Sequence, residues 1–370
     1  MLQELKGLIK KQYNYINVFK AYSVPTLLKE IFLFPKDLMS GSGKSSGLLN
    51  VALFVTTRCN ARCAMCNITD ILNDSGNTDI SLEKIASFLD DIARYKPSII
   101  LFGGEPFVRK DIPDIVRLVN ERGLTSGIFT NGTLLNVELI KKLIESGLGH
   151  IAFSLQGNRD IHDSILSVPG AYDKMINNIR AFTSIKPRGT SVITHTTICE
   201  YNLNCLSEVA RTALGLGVDL VRFGHPTFFS TAEERRSNEC LKSVFKDSKQ
   251  IKATSYIYDI RGKEIIYLEK IKQLKAEFGG RISFTPELGE KELAAWYSPD
   301  FRSGRNCLFM WRGLFVRPNG DAYPCESISY KMGNVFEDGF SKVWNGPKYR
   351  EFRRVLKKGL LPACARCCKL

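Results

Sequence analysis

Three cysteines lie close together in the sequence, directly after an apolar, β-rich run. The run 51–56 predicts a strand, and Cys59, Cys63 and Cys66 follow it. Thiolates bind zinc and iron–sulfur clusters, and a four-iron cubane normally takes four of them. Three thiolates within eight residues could cover one face of a cubane and leave its fourth iron open to another ligand. The alternatives are a closed zinc site, which usually has four protein ligands, or buried thiols.

A second group of cysteines lies near the C-terminus, and it consists of Cys307, Cys325, Cys364, Cys367 and Cys368. The two groups together hold eight of the eleven cysteines. No secretory signal or membrane-spanning run is evident, so we expect a cytoplasmic protein whose thiols are kept reduced. Clustered cysteines in that compartment indicate metal ligands. Four of these five can complete one four-iron cluster, with Cys368 as a spare or alternative ligand, and a zinc ribbon is the alternative.

The elements that must position these cysteines alternate between strands and helices. Strands are predicted near 50–56, 98–102, 125–130, 149–155, 190–198 and 218–224, and helices near 80–94, 111–122, 136–146, 170–184 and 203–215. Repeated strand–helix units indicate a parallel sheet. Six units fall within residues 50–226, whereas an eight-fold barrel usually needs about 250 residues. The sequence therefore predicts an α/β fold built on a partial (β/α)6 barrel.

Polar residues follow the predicted strands, at the end where parallel barrels place their chemistry. They are Gly103, Gly104 and Glu105 after the second strand, Asn131 after the third, Ser154 and Gln156 after the fourth, and Asn202 after the fifth. Each of them alone could simply form a turn. Glycines also allow a backbone to approach a ligand closely, and a carboxylate there could bind an ammonium group.

The spacing CxxxCxxC directly after a strand resembles that of the radical S-adenosylmethionine superfamily, and the resemblance runs from about residue 50 to the C-terminus. It implies that Cys59, Cys63 and Cys66 hold a 4Fe-4S cluster. It further implies that the open iron binds the amino and carboxylate groups of the methionine of S-adenosylmethionine. One electron then cleaves a carbon–sulfur bond of this cofactor and gives a 5′-deoxyadenosyl radical.

The resemblance also assigns cofactor contacts before and after the second strand. Met65, the apolar residue before the third cysteine, takes the place where relatives pack against the adenine. Gly103, Gly104 and Glu105 match the GGE segment, whose backbone meets the amino group of the cofactor. Their position about forty residues after the cysteines matches the family as well.

Further cofactor contacts are implied at the later strand ends. Asn131 lies at the rim after the third strand, and Ser154 matches a serine that contacts the methionine carboxylate or the ribose. Gln156 stands where relatives often have aspartate, so its role departs from the family pattern. Asn202 lies near the position from which relatives hold the ribose.

The C-terminal cysteines resemble the extensions called SPASM and Twitch, which bind auxiliary iron–sulfur clusters. Twelve residues, Gly320 and four more residues separate Cys307 from Cys325, and the segments 314–317 and 322–325 predict a hairpin. A full SPASM domain has enough thiolates for two clusters, whereas five cysteines favour the shorter Twitch form. The resemblance thus implies one auxiliary 4Fe-4S cluster held by Cys307, Cys325, Cys364 and Cys367, with electron transfer as its role.

These patterns divide the chain into four segments. Residues 1–49 form an N-terminal arm, 50–226 the barrel, 227–306 a connection, and 307–370 the small α+β cluster domain. The connection contains helical patterns near 238–250 and 264–278, a strand near 281–286 and a segment at 290–297. A helix at about 339–357 belongs to the last segment.

The arm and the net charge bear on partners. The stretch 14–39 is rich in large apolar residues, so it could plug the end of an open barrel, which we favour, or lie on a membrane surface. The formal charge of +14 is spread along the chain without interleaved aromatic residues, so we expect no nucleic-acid partner. The family resemblance implies a low-potential electron donor such as a flavodoxin or ferredoxin.

The predicted function is that of an oxidoreductase that modifies a substrate through a radical. Members of this architecture dehydrogenate aminocyclitols, mature ribosomal peptides and build cofactors. The 49 residues before the first strand are too few for the usual peptide-recognition domain. They favour a small-molecule substrate, such as a sugar, an aminocyclitol or a lipid-like molecule. The alternatives are a maturase of a ribosomally made peptide and, in a different class, a non-catalytic iron–sulfur or zinc scaffold.

One cysteine outside both groups could act on the substrate. Cys199 lies at the predicted end of the fifth strand, where a thiol could donate a hydrogen atom to a carbon radical, although buried cysteines are usually inert packing. After the sixth strand come Arg222, Phe223, His225 and Phe229, which either line the substrate pocket or pack at the barrel end.

Overall fold

Strands of the described residues form one sheet of ten strands. The structure is a computed structural model that describes residues 18, 24–66, 68, 72–73, 79–245, 262–298 and 301–369. The strands are β1 (Asn50–Thr56), β2 (Ser98–Gly103), β3 (Thr125–Thr130), β4 (His150–Phe153), β5 (Ser191–Thr197), β6 (Leu220–Gly224), β7 (Ile282–Thr285), β8 (Gly313–Val316), β9 (Asp321–Tyr323) and β10 (Gly333–Asn334).

The order of the strands is β10-β9-β8-β1-β2-β3-β4-β5-β6-β7. β1 to β7 are parallel and follow one another in chain order, as repeated strand–helix units require. β8 pairs in parallel with the other edge of β1, and β9 and β10 continue from it in antiparallel fashion. The sheet has two free ends, β7 and β10, so the predicted partial barrel is confirmed, with β7 formed by the strand predicted near 281–286.

Helices connect the strands and cover the sheet. They are α1 (Val24–Met39), α2 (Leu82–Ile92), α3 (Ile112–Glu121), α4 (Val137–Glu145), α5 (Arg159–Leu166), α6 (Ala171–Ile185), α7 (Leu206–Gly215), α8 (Thr231–Val244), α9 (Glu264–Phe278), α10 (Glu290–Trp296), α11 (Phe309–Arg312), α12 (Phe340–Trp344) and α13 (Pro347–Lys357). The helices predicted within residues 80–215 are all present, with ends that differ by a few residues.

Two helical stretches differ from the prediction. α5 is an additional short helix. Asn158 caps its N-terminus, because its side chain accepts a hydrogen bond from the backbone N–H of Ile161. The helix predicted at about 339–357 is two helices, because Gly346 and Pro347 start a new one. Part of the helix predicted near 238–250 lies outside the described residues. The described α8 begins at a capping box of Ser230 and Glu233.

Successive side chains along each strand point alternately to the outer core and to the inner face of the barrel. Along β1, Val51, Leu53 and Val55 belong to the large core between sheet and helices. The alternate residues Ala52 and Phe54 belong to a separate inner cluster that also contains Phe315 of β8. Side chains that follow this second alternation therefore face the barrel interior.

The N-terminal arm reaches this interior at one described residue. Val18 is buried in a small cluster with Ala152, Ile193 and Leu220, which lie on the inner faces of β4, β5 and β6. The other residues before Val24 lie outside the described residues, so the plug of the barrel end stays a prediction. No helix in the described ranges has the length and apolar character needed to cross a membrane.

The end of the N-terminal arm, a linker rich in serine and glycine at 40–47, is bound to the C-terminal segment. The backbone N–H of Ser45 donates to Oδ1 of Asn345 at 2.9 Å, and the Arg353 guanidinium donates to the Gly43 carbonyl at 3.1 Å. Gly43 has a φ of +71°, and a Cβ there would lie 2.2 Å from the carbonyl oxygen of Arg350. Only glycine therefore fits where the linker crosses α13.

Candidate cluster and cofactor site

The first cysteine loop leaves β1 and is held by the end of α5. The backbone N–H groups of Arg62 and Ala64 donate to the carbonyls of Leu166 and Ile165 at 3.0 and 2.9 Å. The N–H of Cys59 donates to Oδ1 of Asn73 at 2.9 Å. These bonds fix the backbone of the loop and leave its three thiols partly exposed at the carboxyl end of the strands.

Burial and the neighbouring thiols of this loop raise the pKa of Cys59 and of Cys63. Burial, with smaller contributions from the neighbouring thiols of Cys66 and Cys59, raises the pKa of Cys63 to about 12. Burial raises the pKa of Cys59 as well, with Glu105 and Cys66 adding to the effect. Iron would hold these thiols deprotonated, since a coordinating thiol loses its proton. In the described ranges no three Cys, His, Asp or Glu side chains surround a single ion site, and a cubane spreads its thiolates over separate irons.

The turn after β2 packs directly on this loop. The N–H of Gly104 donates to the Thr56 carbonyl, and that of Glu105 donates to the Arg58 carbonyl, both at 2.9 Å. A Cβ on Gly103 would lie 2.2 Å from the Thr56 carbonyl oxygen, and one on Gly104 would lie 2.1 Å from that of Arg58. Both glycines are therefore required for the contact between the GGE segment and the cysteine loop.

The Glu105 side chain is buried beneath this turn and joins β2 to the end of β3. Its carboxylate accepts hydrogen bonds from Oγ1 of Thr130 at 2.7 Å, from the N–H of Asn131 at 2.8 Å and from the N–H of Phe107 at 3.3 Å. Burial raises the pKa of Glu105 to about 7, although these bonds act against it. The backbone of the segment remains the part that could meet an amino group.

Asn131 extends this network to the cysteine loop. Its Nδ2 donates to Oδ1 of Asn60 at 2.9 Å, and Nδ2 of Asn60 donates to Oγ1 of Thr133 at 2.9 Å. The Thr133 hydroxyl returns a bond to Oδ1 of Asn131 at 2.6 Å. Asn60 was not singled out from the sequence, and its place inside the CxxxCxxC motif was the available signal.

Gln156 and Asn202 cross-link the ends of β4 and β5. Oε1 of Gln156 accepts from the N–H of Thr197 at 2.9 Å. Nδ2 of Asn202 donates to the carbonyls of Gln156 and Thr197, both at 2.8 Å, while its Oδ1 accepts from the N–H of Cys199 at 2.9 Å. Both side chains are buried and bonded within the chain. Their roles in cofactor binding remain predictions.

Met65 and Cys199 lie on one apolar cluster behind the loop. The cluster also contains Ile165 and Leu166, with Cys63 at its edge. Cys199 is completely buried, and this burial raises its pKa to about 11. Ser154, by contrast, is partly exposed at the end of β4, where its N–H donates to the Thr130 carbonyl at 2.9 Å. The roles predicted for these three residues are untested.

Of the four residues predicted around the end of the sixth strand, Arg222 lies, like Leu220 two positions earlier, on the inner face of β6. It pairs in register with His195 of β5, which burial and the Arg222 charge keep neutral by lowering its pKa to about 3. Phe223 packs in the outer core, and His225 bonds to the Tyr297 hydroxyl at 2.9 Å. His195 was missed from the sequence, although alternation along 190–198 could have placed it beside the barrel interior.

The second cysteine group comes together from three places in the chain, Cys307, Cys325 and the segment 364–368. Burial raises the pKa of Cys325 to about 11, and the thiol of Cys307 adds to this. Burial raises the pKa of Cys364, again with contributions from Cys325 and Cys307. A hydrogen bond with its neighbour Cys368 raises the pKa of Cys367, and the thiol of Cys325 raises it as well. These effects show that the four predicted ligands are neighbours in the fold, and their binding of one shared four-iron cluster stays a prediction.

Cys368 faces a different part of the molecule. A hydrogen bond from Cys367 lowers the pKa of Cys368 to about 7, and Thr227, in the loop after β6, adds a second bond. The Cys368 carbonyl accepts from Oγ1 of Thr285, at the end of β7, at 3.1 Å. The next residue, Lys369, lies 4.2 Å above the ring of Phe309 and 5.9 Å from that of Phe315 on β8. The C-terminal segment thus contacts both the end of β7 and the inner side chain Phe315 of β8.

Comparison with known proteins agrees with this arrangement. Residues 53–213 match the family model described as the Radical SAM superfamily, and residues 307–368 match SPASM, an iron–sulfur cluster-binding domain. The chain belongs to the radical S-adenosylmethionine superfamily and carries a SPASM-type C-terminal domain. Its cofactors are S-adenosylmethionine and two 4Fe-4S clusters. The matched model is SPASM rather than the Twitch form, and the domain holds five cysteines here.

Several relatives are similar over most of their length. The AdoMet-dependent heme synthase of Methanosarcina barkeri is 26% identical over 82% of this chain and 84% of its own. The PqqA peptide cyclase of Rhodopseudomonas palustris is 24% identical over 76% and 80%. The crystal structure of Streptococcus suis SuiB bound to S-adenosylmethionine superposes with a TM-score of 0.62 at 16% identity, covering 90% of this chain and 74% of SuiB. The last similarity concerns the fold.

Proposed function

We propose that this protein is a radical oxidoreductase acting on a small molecule bound at the inner face of the barrel. When bound, the clusters supply the electron chemistry, which is reductive cleavage of S-adenosylmethionine at the first and uptake of the substrate radical's electron at the second. Bound S-adenosylmethionine would supply a radical that can take a hydrogen atom from an unactivated carbon of the substrate. If the substrate then gives up one further electron and a proton, the product is oxidised, and if it keeps the electron, the product is rearranged without net oxidation.

The chain's own residues prepare the site for this reaction. Cys59, Cys63 and Cys66 are the protein ligands of the first cluster, and the GGE backbone lies against their loop. The interior below is shielded by apolar side chains, with Val18 as part of its floor. Such shielding would protect a carbon radical from other reactions.

The position of the second cysteine group is the observation that carries the proposal. Its tail bonds to Thr285 of β7, and Lys369 lies over Phe315 of β8. β7 is one free end of the sheet, and β8 pairs with the other edge of β1, toward the opposite end of the sheet. An electron acceptor held there would lie beside a substrate in the interior, which supports net oxidation.

A small molecule is our first choice of substrate. The heme synthase of M. barkeri, by its name, makes a small cofactor, and this chain matches it over 82% of its length. Maturation of a peptide is the second candidate. It is favoured by the similarity to PqqA peptide cyclase and by the fold shared with SuiB, which has also been crystallised with its precursor peptide SuiA.

The proposal is tested on the protein reconstituted anaerobically with iron and sulfide. We expect about eight irons per chain and release of 5′-deoxyadenosine after reduction, with release abolished in the Cys59→Ala, Cys63→Ala and Cys66→Ala variants. Extract of cells lacking the gene is then divided into low-mass and peptide fractions. Faster 5′-deoxyadenosine release with only the low-mass fraction supports a small molecule, and faster release with only the peptide fraction supports the second candidate. Zinc in place of iron would indicate the scaffold alternative.

A further inference from the structure

The outer surface of α13 is strongly basic. We define the α13 basic face as Lys348, Arg350, Arg354, Lys357 and Lys358, which are partly or fully exposed. The helix contains one acidic residue, Glu351, which is paired with Arg354 at 2.7 Å. The charge of this face is therefore largely uncompensated within the helix, and it would attract an acidic surface.

An open groove borders this face. Its volume is about 360 Å³, and it is lined by Phe245, Tyr330, Pro347, Lys348, Arg350, Glu351 and Arg354. The Lys348 ammonium lies 5.1 Å from the centre of the Tyr330 ring, and the Phe245 and Tyr330 rings are 4.6 Å apart. Both rings are largely buried, at 5% and 6% exposed, so the groove offers a partner mainly the charged side chains that line it.

The inner side of α13 lies against the second cysteine group. Tyr349 is completely buried, and its hydroxyl donates to the carbonyl of Tyr323 at 2.9 Å, two residues before Cys325. One layer of side chains therefore separates the basic face from a predicted cluster ligand. Since electron transfer slows steeply with distance, this is a short route from the surface to the auxiliary cluster.

We propose that the α13 basic face and its groove are the docking site of an acidic one-electron carrier protein that exchanges electrons with the auxiliary cluster. In each turnover the cluster gains one electron from the substrate radical and passes it to the oxidised carrier, which is reduced by one electron. The same complex would serve the reverse transfer. This inference rests on the proposed electron-transfer role of the second cluster. Acidic carriers fit the charge of the face, and complementary charges chiefly accelerate association.

The test uses the reconstituted holoenzyme with flavodoxin as the probe. Affinity is measured by calorimetry, and reduction of the clusters by reduced flavodoxin is followed by stopped-flow absorbance at several salt concentrations. The variant Lys348→Glu, Lys357→Glu, Lys358→Glu reverses the face. The matched control, Lys141→Glu, Lys142→Glu, Lys174→Glu, makes the same change of net charge on exposed residues of α4 and α6.

We expect the α13 variant to bind flavodoxin about tenfold or more weakly at low salt and to lose most of the salt dependence of the transfer rate. The control should retain both. Equal effects in the two variants would overturn the proposal, because net charge alone would then explain them, as would an unchanged α13 variant. Tight duplex DNA binding lost only in the α13 variant, with flavodoxin affinity unchanged, would assign the face to nucleic acid instead. Iron analysis keeps this separate from the proposed function, whose failure would show as a missing second cluster.

Discussion

Arg366 and Glu233 form a buried ion pair inside the turn that carries Cys364 and Cys367. Nη1 of Arg366 lies 3.1 and 3.3 Å from the two carboxylate oxygens, and the side chains are 1% and 3% exposed. The guanidinium also donates to the carbonyls of Trp296 and Ser298. Because Arg366 stands between two predicted cluster ligands, this pair fixes the turn against α8.

Glu233→Gln should release this turn. The substitution leaves a buried guanidinium without its counter-charge, which costs roughly 3–5 kcal/mol of stability. We expect a lower melting temperature and, after reconstitution, about four irons per chain instead of about eight. The control Glu234→Gln changes the neighbouring, more exposed carboxylate. A full iron content with an unchanged melting temperature in Glu233→Gln would contradict this role.

The fourth auxiliary ligand can be identified by comparing two adjacent cysteines. The thiol of Cys325 contributes to the raised pKa of Cys367. The Cys368 thiol instead bonds to Thr227, and the Cys368 carbonyl accepts a hydrogen bond at the end of β7. We expect Cys367→Ala to lose the auxiliary cluster and Cys368→Ala to keep it. Iron content and electron paramagnetic resonance spectra of the reduced proteins provide the measurement. The reverse result would make Cys368 the ligand.

Gly104 should tolerate no side chain. A Cβ there would lie 2.1 Å from the Arg58 carbonyl oxygen and 3.0 Å from Cβ of Cys59, so Gly104→Ala must push the GGE turn away from the cysteine loop. We expect loss of S-adenosylmethionine binding in equilibrium dialysis and less iron at the first cluster. Gly215→Ala is the control, because no atom lies within 4 Å of its Cβ position. Equal binding by both variants would show that the contact is dispensable.

A substitution of Asn202 can distinguish a structural role of this residue from a role in ribose binding. Asn202→Asp cannot donate to the carbonyls of Gln156 and Thr197, and each buried group left without its partner costs roughly 1–3 kcal/mol. We therefore expect a lower free energy of unfolding whether or not S-adenosylmethionine is present. Denaturant titrations with and without the cofactor measure this. Unchanged stability combined with weakened cofactor binding would instead support the ribose contact.

His162 should make the stability depend on pH. Its Nδ1 accepts a hydrogen bond from the N–H of Gln156 at 3.1 Å, and burial lowers its pKa from 6.5 to about 4. The unfolded chain therefore binds a proton more readily, so this contribution is present above pH 6.5 and is lost as the pH falls toward 4. The loss amounts to about 3 kcal/mol at most.

The measurement is denaturant unfolding at several values between pH 7.5 and 4.5, for the wild type and for His162→Gln. The variant lacks the titrating group, so its stability should fall less on acidification. His195 and His225 also have a lowered pKa and remain in both proteins, so the difference between the two curves isolates His162. Parallel curves would exclude this contribution.

The sequence was sufficient for the parallel order of β1 to β6, while the ligand sets of the two cysteine groups stay predictions. Each strand from β1 to β6 is a short apolar run followed by a helical pattern, and this local signal determines the parallel order. The cysteines of both groups are recognisable by spacing alone. The hairpin of β8 and β9 was likewise predicted from its Pro-Asn-Gly-Asp turn.

Long-range partners could not be predicted from the sequence. Nothing local shows that β8 pairs with β1, that Asn202 bonds to the backbone of Gln156, or that Glu233 meets Arg366. These contacts depend on how separate elements pack, and a single sequence gives no record of such pairs. α5 was missed because its eight residues are too few for a clear periodicity.

The position of β1 in the middle of the sheet has a consequence for biosynthesis. One edge of β1 pairs with β2, but its other edge pairs with β8, and the N–H of Leu49 donates to the Arg312 carbonyl. At roughly 5–20 residues per second, the ribosome needs about ten seconds or more to reach β8 after completing β1. During this interval an apolar strand edge is available to other chains, so the nascent protein should depend on chaperones until its last domain emerges.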